Sequence, residues 1–188
     1  LSNIVEKVNE KYNLKNSDYP VVLSIGIYNP KYEELNMDIL MQKSLQARQF
    51  VKEKDDVRYK FYDDTVRIMT VEEKLMQQEF LASMEKDEFL IYIQPKILLA
   101  DNSIYGGEIL SRWYNPRRGL IRPGEYIPVF EKSGIITTFD MYMFEKACQL
   151  LQQSLKEGRQ VVPVSVNFAR SHFANIDFCD RIFAIATK

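Results

Sequence analysis

The sequence predicts an α/β fold in which strands alternate with helices. Hydrophobic residues make up 46% of the 188-residue chain, a share typical of folded globular proteins and too high for a disordered chain. Short runs of β-branched and aromatic residues, typical of strands, are separated by longer segments with apolar residues at helical spacing. A chain of this length is expected to form one domain of middling size or two small ones.

The first part of the chain predicts three helices and two strands. Residues 2–14 carry apolar positions among charges, as in a short amphipathic helix. Val21–Tyr28 is an apolar run bounded by prolines and predicts a buried strand. A helix is expected over Met37–Lys54 and a half-exposed strand over Val57–Tyr62. Val71–Glu85 predicts a helix, because its apolar residues recur at helical spacing and acidic residues occupy its first turn.

The second part predicts three strands and two helices. Strands are expected over Phe89–Leu99, Ser103–Tyr114 and Val161–Phe168, with helices over Pro123–Ser133 and Thr138–Glu157 between the last two strands. Strands that alternate with helices in this way pair in parallel. The first two strands are too close in sequence for a helical crossover, so this pair is the expected exception.

The charge of the chain argues against a general nucleic-acid-binding protein. Lys and Arg number 25 against 26 for Asp and Glu, which leaves a formal net charge of −1. A protein that binds nucleic acid polymers through their phosphates is expected to be distinctly basic.

The expected setting is the cytoplasm. The stretch 1–7 contains no apolar signal core, and the longest uncharged run, Tyr19–Pro30, is shorter than the ~18 residues of a membrane span. Two cysteines are too few for a disulfide framework. Cys148 and Cys179 are both predicted to be buried free thiols, because their neighbours are apolar. We therefore expect a reducing environment and no membrane span.

Charged residues interrupt the apolar strand expected over Ser103–Tyr114. Side chains alternate between the faces of a strand, so Glu108, Leu110 and Arg112 share one face. A carboxylate in such a strand is costly unless it is paired or binds a metal. Glu108 and Arg112 are ~13 Å apart along the strand, too far for a salt bridge between them. Each therefore needs a different partner. From the residues alone, a functional role for Glu108 and an ordinary structural pairing of its carboxylate are equally compatible with the sequence.

Two further polar residues stand near strand ends, Gln94 in the first of these strands and Asn167 in the last. The carboxyl ends of strands in βα folds face the ligand crevice, although a helix cap or turn is the simpler explanation of Asn167. Oxygen donors such as Glu108 and Asn167 suit Mg²⁺ or Mn²⁺, and Arg112 suits a phosphate. The single histidine, His172, is expected to lie at the surface or to pack at the start of a helix.

Several motifs follow one another in a fixed order along the second part of the chain. They are Phe89–Lys96, Gly107–Trp113, Gly119–Pro123, Tyr126–Glu131 and Val164–Arg170. In this order they resemble the EAL domains, the cyclic di-GMP phosphodiesterases of bacteria. The resemblance implies a (β/α) barrel of the EAL type, of which this chain contains the N-terminal part.

The resemblance also implies roles for five residues. Glu108 and Asn167 would bind the metal, Mg²⁺ or Mn²⁺. Gln94 and Leu110 would contact the dinucleotide, and Arg112 would bind one of its phosphates. The implied reaction is hydrolysis of one phosphodiester bond of cyclic di-GMP to the linear dinucleotide, in which metal ions activate the attacking water.

Three positions depart from the family pattern. Ile109 replaces the Ala of the signature triplet, Ala169 replaces a Ser after the strand end, and Tyr126 replaces a Phe. Because Ile109 points to the face opposite Glu108, its change is expected to alter packing more than chemistry.

An earlier segment, Val22–Tyr28, is similar to the Ser-Ile-Gly-Ile strand of GGDEF domains. The resemblance implies a GGDEF–EAL tandem protein. It would have a partial GGDEF-type α+β segment over 1–68, a linking helix over 69–88 and the N-terminal part of an EAL domain over 89–188. The signature loop of GGDEF domains is not among these residues, so diguanylate cyclase activity is not expected.

The chain is expected to be incomplete for catalysis. The family's later metal-binding acids and its catalytic Lys would follow Lys188, so robust hydrolysis by these residues alone is not expected. The alternative function is a non-catalytic module that binds cyclic di-GMP or a protein partner. An incomplete barrel exposes strand edges and apolar surface, which favours a homo-oligomer formed through the barrel or through the linking helix.

Overall fold

The structure, a computed structural model, describes residues 23–30, 36–51 and 59–187, together with Lys7. The predicted helix over 2–14 therefore lies outside the described residues, Lys7 excepted. The chain divides into two compact units, each with its own internal packing.

The first unit, Leu1–Glu72, contains two strands and the helix that connects them. Strand β1 (Ile25–Ile27) pairs in parallel with strand β2 (Tyr59–Phe61), and helix α1 (Met37–Gln49) lies between them in sequence. Neighbouring parallel strands need such a crossover connection. This order of elements confirms the prediction, although each element is shorter than predicted within the described residues.

Helix α1 begins at its predicted residue and ends before its predicted end. The Asn36 side chain accepts hydrogen bonds from the amides of Asp38 and Ile39 at 3.0 and 3.5 Å, and so caps the N-terminus. At the other end, the Phe50 amide donates to the Ala47 carbonyl at 3.1 Å, the tighter pattern in which helices finish.

Helix α2 spans Asp64–Glu85 and begins earlier than the predicted Val71. The Asp63 carboxylate accepts a hydrogen bond from the Val66 amide at 2.9 Å, which is the geometry of a helix N-cap. Val66 is buried, so apolar packing starts in the first turn. Asp63 therefore caps the helix and Asp64 starts it, within the segment that is expected to precede the linking helix.

The second unit, Glu73–Lys188, contains an open four-stranded sheet. Strand β3 (Phe89–Ile97) pairs antiparallel with strand β4 (Ile104–Asn115). Strand β4 also pairs antiparallel with β5 (Gly119–Ile121) and parallel with β6 (Val164–Ser165). The mixed α/β class and the predicted exception to parallel pairing are confirmed. The sequence does not predict β5, because three residues after a turn are too few to show alternation.

Helices α3 (Pro123–Ser133) and α4 (Ile136–Lys156) connect β5 to β6. Helix α3 has its predicted bounds and ends at Gly134, whose φ of 77° suits glycine. Helix α4 starts shortly afterwards, slightly before its predicted start. A 3₁₀ helix (Arg170–Ala174) and helix α5 (Phe178–Ala186) come after β6, which is shorter than predicted.

An aromatic core holds the second unit together. Trp113 of β4, Phe89 of β3 and Phe130 of α3 are fully buried. The Phe89 ring centroid lies 5.1 Å from that of Trp113 and 5.0 Å from that of Phe139 on α4, within the range of favourable aromatic pairs. Because one face of β4 enters this core, the alternate residues of β4, Glu108 among them, lie on the opposite face.

Two expectations about the setting of the chain can be compared with the structure. The prediction of buried cysteines is wrong for Cys179, which is exposed, whereas Cys148 is half-buried. Helix α5 buries the neighbouring Phe178 instead, and consecutive residues of a helix point about 100° apart. Within the described ranges, no helix combines the length and the apolar character that crossing a membrane requires.

Replacing Trp113 by Ala is expected to destabilise the second unit by about 3–5 kcal/mol, because the change removes buried apolar surface and leaves a cavity. Urea unfolding followed by far-UV circular dichroism measures this loss. Tyr114→Ala is the matched control, since Tyr114 is the next residue of the strand and is 54% exposed. The control is expected to change stability by about 0.5 kcal/mol at most. Equal losses for the two variants would contradict the assigned core.

Candidate functional site

One face of the sheet in the second unit points away from the aromatic core and carries polar side chains. Directly opposite residues of an antiparallel pair share a face. The register places Gln94 opposite Glu108 and Tyr92 opposite Leu110. The parallel pair adds Ser165, which lies beside Glu108. We call this surface the polar face; it includes Tyr92, Gln94, Lys96, Glu108, Leu110, Arg112, Ser165 and Asn167.

Glu108 and Asn167 meet on the polar face. The side-chain amide of Asn167 donates a hydrogen bond through Nδ2 to Oε1 of Glu108 at 2.7 Å. The Glu108 carboxylate thus has a hydrogen-bond partner that follows β6 in the chain. Arg112 has different partners, as its distance from Glu108 along the strand predicts. The structure brings together the two residues that the sequence singles out as oxygen donors.

Two glycines of β4 lie close to neighbouring segments of the sheet. The Gly107 amide donates to the Pro163 carbonyl at 3.0 Å. A Cβ on Gly107 would lie 2.6 Å from Cγ2 of Ile93 on β3, whereas Cγ1 of Val164 is at an ordinary contact distance of 3.7 Å. A Cβ on Gly106 would lie 3.0 Å from the Pro163 carbonyl oxygen, so glycine at this position lets the residues before β6 approach β4 closely.

Arg112 lies farther along β4 and is half-buried. Its Cζ is 5.3 Å from the centroid of the Tyr92 ring, a cation–π distance. Its Nη1 donates to the Ser111 carbonyl at 2.7 Å. A guanidinium has five N–H donors, so this arrangement orients the group and leaves donors for an anionic ligand. Tyr92 is a residue that the sequence reasoning missed, although alternation from Gln94 puts it on the same face.

Lys96 is, after Arg112, the second basic residue of the polar face, and the sequence reasoning missed it. Its Nζ donates to Oγ of Ser165 at 2.7 Å, and Ser165 is paired with Glu108 across the strands. Lys96 lies two residues after Gln94, so strand alternation was the signal that could have identified it. The polar face therefore carries one carboxylate between two basic groups, Lys96 and Arg112.

The oxygen donors of the polar face fit part of a divalent-metal site. The Glu108 carboxylate and the Asn167 amide oxygen are ligands that Mg²⁺ and Mn²⁺ prefer. Mg²⁺ in nucleotide sites is commonly held by one or two protein carboxylates, with phosphate oxygens and waters as the other ligands. The part of the chain that the structure describes contains no group of three or more His, Cys, Asp or Glu side chains placed to hold a metal. Glu108 and Asn167 therefore suit a site that other ligands complete.

His172 is buried, with an exposure of 3%, so the expected surface position is wrong, and the alternative of packing near the start of a helix is confirmed. It lies in the 3₁₀ helix, and its Nε2 is 3.0 Å from Oδ2 of Asp140 on α4. The same oxygen accepts a hydrogen bond from the Ala169 amide at 2.8 Å. Burial raises the pKa of Asp140, and these two hydrogen bonds oppose the shift. The sequence offers no signal for this pair, because its members belong to different helices.

Two of the residues that depart from the family pattern, Ile109 and Tyr126, are buried. Ile109 is 5% exposed on the core side of β4, so the predicted packing role is confirmed. Tyr126 is buried, and its hydroxyl is hydrogen-bonded to Oγ of Ser111 at 2.5 Å. Burial raises the pKa of Tyr126 to about 12. The additional hydroxyl, relative to Phe, joins α3 to the strand that carries Arg112.

Curated bacterial proteins resemble the chain along most of its length. It is 24% identical over 179 residues to the bifunctional diguanylate cyclase/cyclic di-GMP phosphodiesterase MucR of Pseudomonas aeruginosa, covering 95% of this chain and 26% of MucR. It is 26% identical over 122 residues to the cyclic di-GMP phosphodiesterase NbdA of the same organism, covering 65% of this chain and 16% of NbdA. The chain thus spans about a quarter or less of the length of these relatives.

Solved structures share the fold. A structure of the PaMucR phosphodiesterase in complex with c-di-GMP matches with a TM-score of 0.55 and 26% identity, covering 60% of this chain and 46% of that one. A Vibrio cholerae LapD structure that comprises the S helix, GGDEF and EAL parts, bound to c-di-GMP, matches with a TM-score of 0.54 and 16% identity. It covers 94% of this chain and 42% of the LapD chain.

The family assignment rests on a match that includes the whole sheet of the second unit. The model of the EAL domain matches residues 77–188, more than half of the chain. Strands β3 to β6 and the polar face lie inside this range. The chain belongs to the EAL domain family.

Proposed function

We propose that the polar face binds cyclic di-GMP together with a divalent metal, and that the parent protein, of which this chain would be a part, hydrolyses one phosphodiester bond to give the linear dinucleotide. The observation that carries this proposal is the 2.7 Å contact between Glu108 and Asn167, on the same sheet face as Arg112. The phosphodiesterase activity in the names of MucR and NbdA supports the reaction, and the c-di-GMP in the MucR complex supports the ligand.

Glu108 and Asn167 would hold Mg²⁺ or Mn²⁺ through a carboxylate and an amide oxygen. A bound divalent metal supplies an activated water and neutralises charge on the phosphoryl oxygens. The hydrogen bond from the Asn167 amide to Glu108 keeps the two oxygen donors adjacent. Little reorganisation of these side chains is therefore needed for cation binding.

Arg112, Leu110 and Gln94 would contact the dinucleotide. The Tyr92 ring and the Ser111 carbonyl orient the Arg112 guanidinium, whose remaining donors suit two phosphate oxygens at once. Leu110 offers an apolar contact between Glu108 and Arg112 along the strand. Gln94, opposite Glu108, offers both a donor and an acceptor to a base or ribose.

We also propose that residues 1–68 derive from the C-terminal part of a GGDEF domain, that residues 69–88, which include most of helix α2, link the two parts, and that the EAL part includes 89–188. The parallel pairing of β1 with β2 around α1 is compatible with such an α+β segment. The similarity to the LapD structure, which extends over 94% of the chain, supports the tandem order. The cytoplasmic location and a homo-oligomer through the sheet or the linking helix stay predictions.

Substituting Glu108 by Gln is expected to weaken Mn²⁺ binding at least about tenfold, because residues that only support a metal ligand already cost 10–100-fold when changed. Isothermal titration calorimetry with Mn²⁺ measures the affinity. The same variant is expected to abolish any turnover of cyclic di-GMP by the protein. Glu85→Gln is the matched control, since Glu85 is exposed at the end of α2. Wild-type affinity in Glu108→Gln would refute the metal role.

Substituting Arg112 by Lys is expected to weaken cyclic di-GMP binding about tenfold or more, because Lys keeps the charge and loses the planar, two-pronged phosphate contact. Fluorescence titration with a labelled dinucleotide measures the change, and the exposed Arg181→Lys is the control. Unchanged affinity in Arg112→Lys would exclude the phosphate contact. Tight binding without turnover by the parent protein, in the presence of Mg²⁺ or Mn²⁺, would favour the non-catalytic binding module.

A further inference from the structure

Asn167 lies beyond the last residue of a very short strand. Strand β6 contains only Val164 and Ser165, which pair with Gly107 and Glu108 of β4. Pairing in the sheet therefore stops two residues before Asn167. The side chain that faces Glu108 must be positioned by the next residues of the chain and their contacts.

The segment after Asn167 is tied to helix α4 through one carboxylate. Oδ2 of Asp140 accepts the Ala169 amide at 2.8 Å and lies 3.0 Å from Nε2 of His172. Asp140 and His172 are 7% and 3% exposed, so solvent competes little for these hydrogen bonds. One oxygen atom thus holds both ends of the turn from Ala169 to His172, and this turn begins two residues after Asn167.

Apolar packing holds the same segment together with these hydrogen bonds. The Phe168 ring lies 5.6 Å from the Phe144 ring on α4 and 5.2 Å from the His172 ring, measured between centroids. A cavity of about 280 Å³ lies between the sheet and helices α3 and α4, and both Asn167 and Asp140 line it. Ring packing does not satisfy the Ala169 amide, so the Asp140 carboxylate supplies the polar contact at the start of the turn.

We propose that Asp140 is a positioning residue that holds Asn167 against Glu108 through the Ala169 amide and His172. It acts on the metal site from the helical layer, without touching the metal or the dinucleotide. The inference rests on the proposed function for its link to metal binding. The placement of Asn167 itself is independent of that function.

The first test compares Asp140→Ala with Tyr142→Phe, which removes hydrogen bonds of the same helix to Met84 and Asp87 that do not involve the Asn167 segment. Asp140→Ala is expected to weaken Mn²⁺ binding about tenfold or more, the cost typical of a residue that orients a metal ligand. It is also expected to shift the side-chain amide resonances of Asn167 in the ¹⁵N–¹H spectrum of the protein without added metal. Tyr142→Phe is expected to leave both unchanged.

A second variant removes the Ala169 amide proton, which is donated to Asp140, and keeps the Asp140 side chain, in case Asp140→Ala does not fold. Ala169 has a φ of −66°, the value that proline imposes, so Ala169→Pro deletes the donated N–H with little change of backbone angle at this residue. It is expected to weaken Mn²⁺ binding and to shift the Asn167 resonances. Ala169→Ser keeps the N–H and is the matched control, with wild-type values expected.

Folded Asp140→Ala or Ala169→Pro protein with wild-type Asn167 resonances and wild-type Mn²⁺ affinity would overturn the positioning role. If the wild-type protein does not bind Mn²⁺, the proposed function fails. The Asn167 resonances of the variants then still decide whether Asp140 positions this side chain. Shifted Asn167 resonances in Asp140→Ala and Ala169→Pro would support the inference in either case, provided that Tyr142→Phe and Ala169→Ser show no such shift.

Discussion

The alternation of side chains along β4 is the constraint on which the second unit depends. Ile109, Trp113 and Asn115 are buried on one side of this strand, and the Trp113 ring meets aromatic rings from β3 and α3. The intervening residues must then face the other way, which puts Glu108 and Arg112 on the polar face. A slip of one residue would bury both charges and expose the tryptophan, so the core that stabilises the unit also enforces the orientation of its site.

The position of Asn167 depends in addition on the path of the chain after β6. Asn167 bonds to Glu108 although its own strand has ended. Gly106 lets the residues before β6 approach β4 closely, and the turn after Asn167 is held by Asp140. The polar face is thus assembled from the long hairpin of β3 and β4, whose strands are neighbours in sequence, and from a short return segment, which depends on the helices. We expect the metal-ligand pair to be more sensitive to changes in the helical layer than Arg112, whose orientation comes from its own hairpin.

Much of this could be predicted because it depends on local pattern. Alternation over Ile104–Asn115 puts Glu108 and Arg112 on one face, and the apolar spacing of Pro123–Ser133 gives the bounds of α3. Failures occurred where the decisive contact is a single side chain. The capping carboxylate of Asp63 lets α2 begin about two turns before the predicted Val71, and hydrophobic spacing does not reveal this extension. Burial of Phe178 turns Cys179 outward.

The sequence by itself determined the α/β class, the order of the elements apart from β5 and the helices after β6, the shared face of Glu108, Leu110 and Arg112, and the motif order of an EAL domain. These features arise from the repeat of a strand or helix over a few neighbouring residues. Only the tertiary structure decided that Asn167 bonds to Glu108, 59 positions away, and that Asp140 bonds to His172, 32 positions away. Such pairs depend on strand register and helix packing, which bring together residues whose local sequence patterns contain no information about each other.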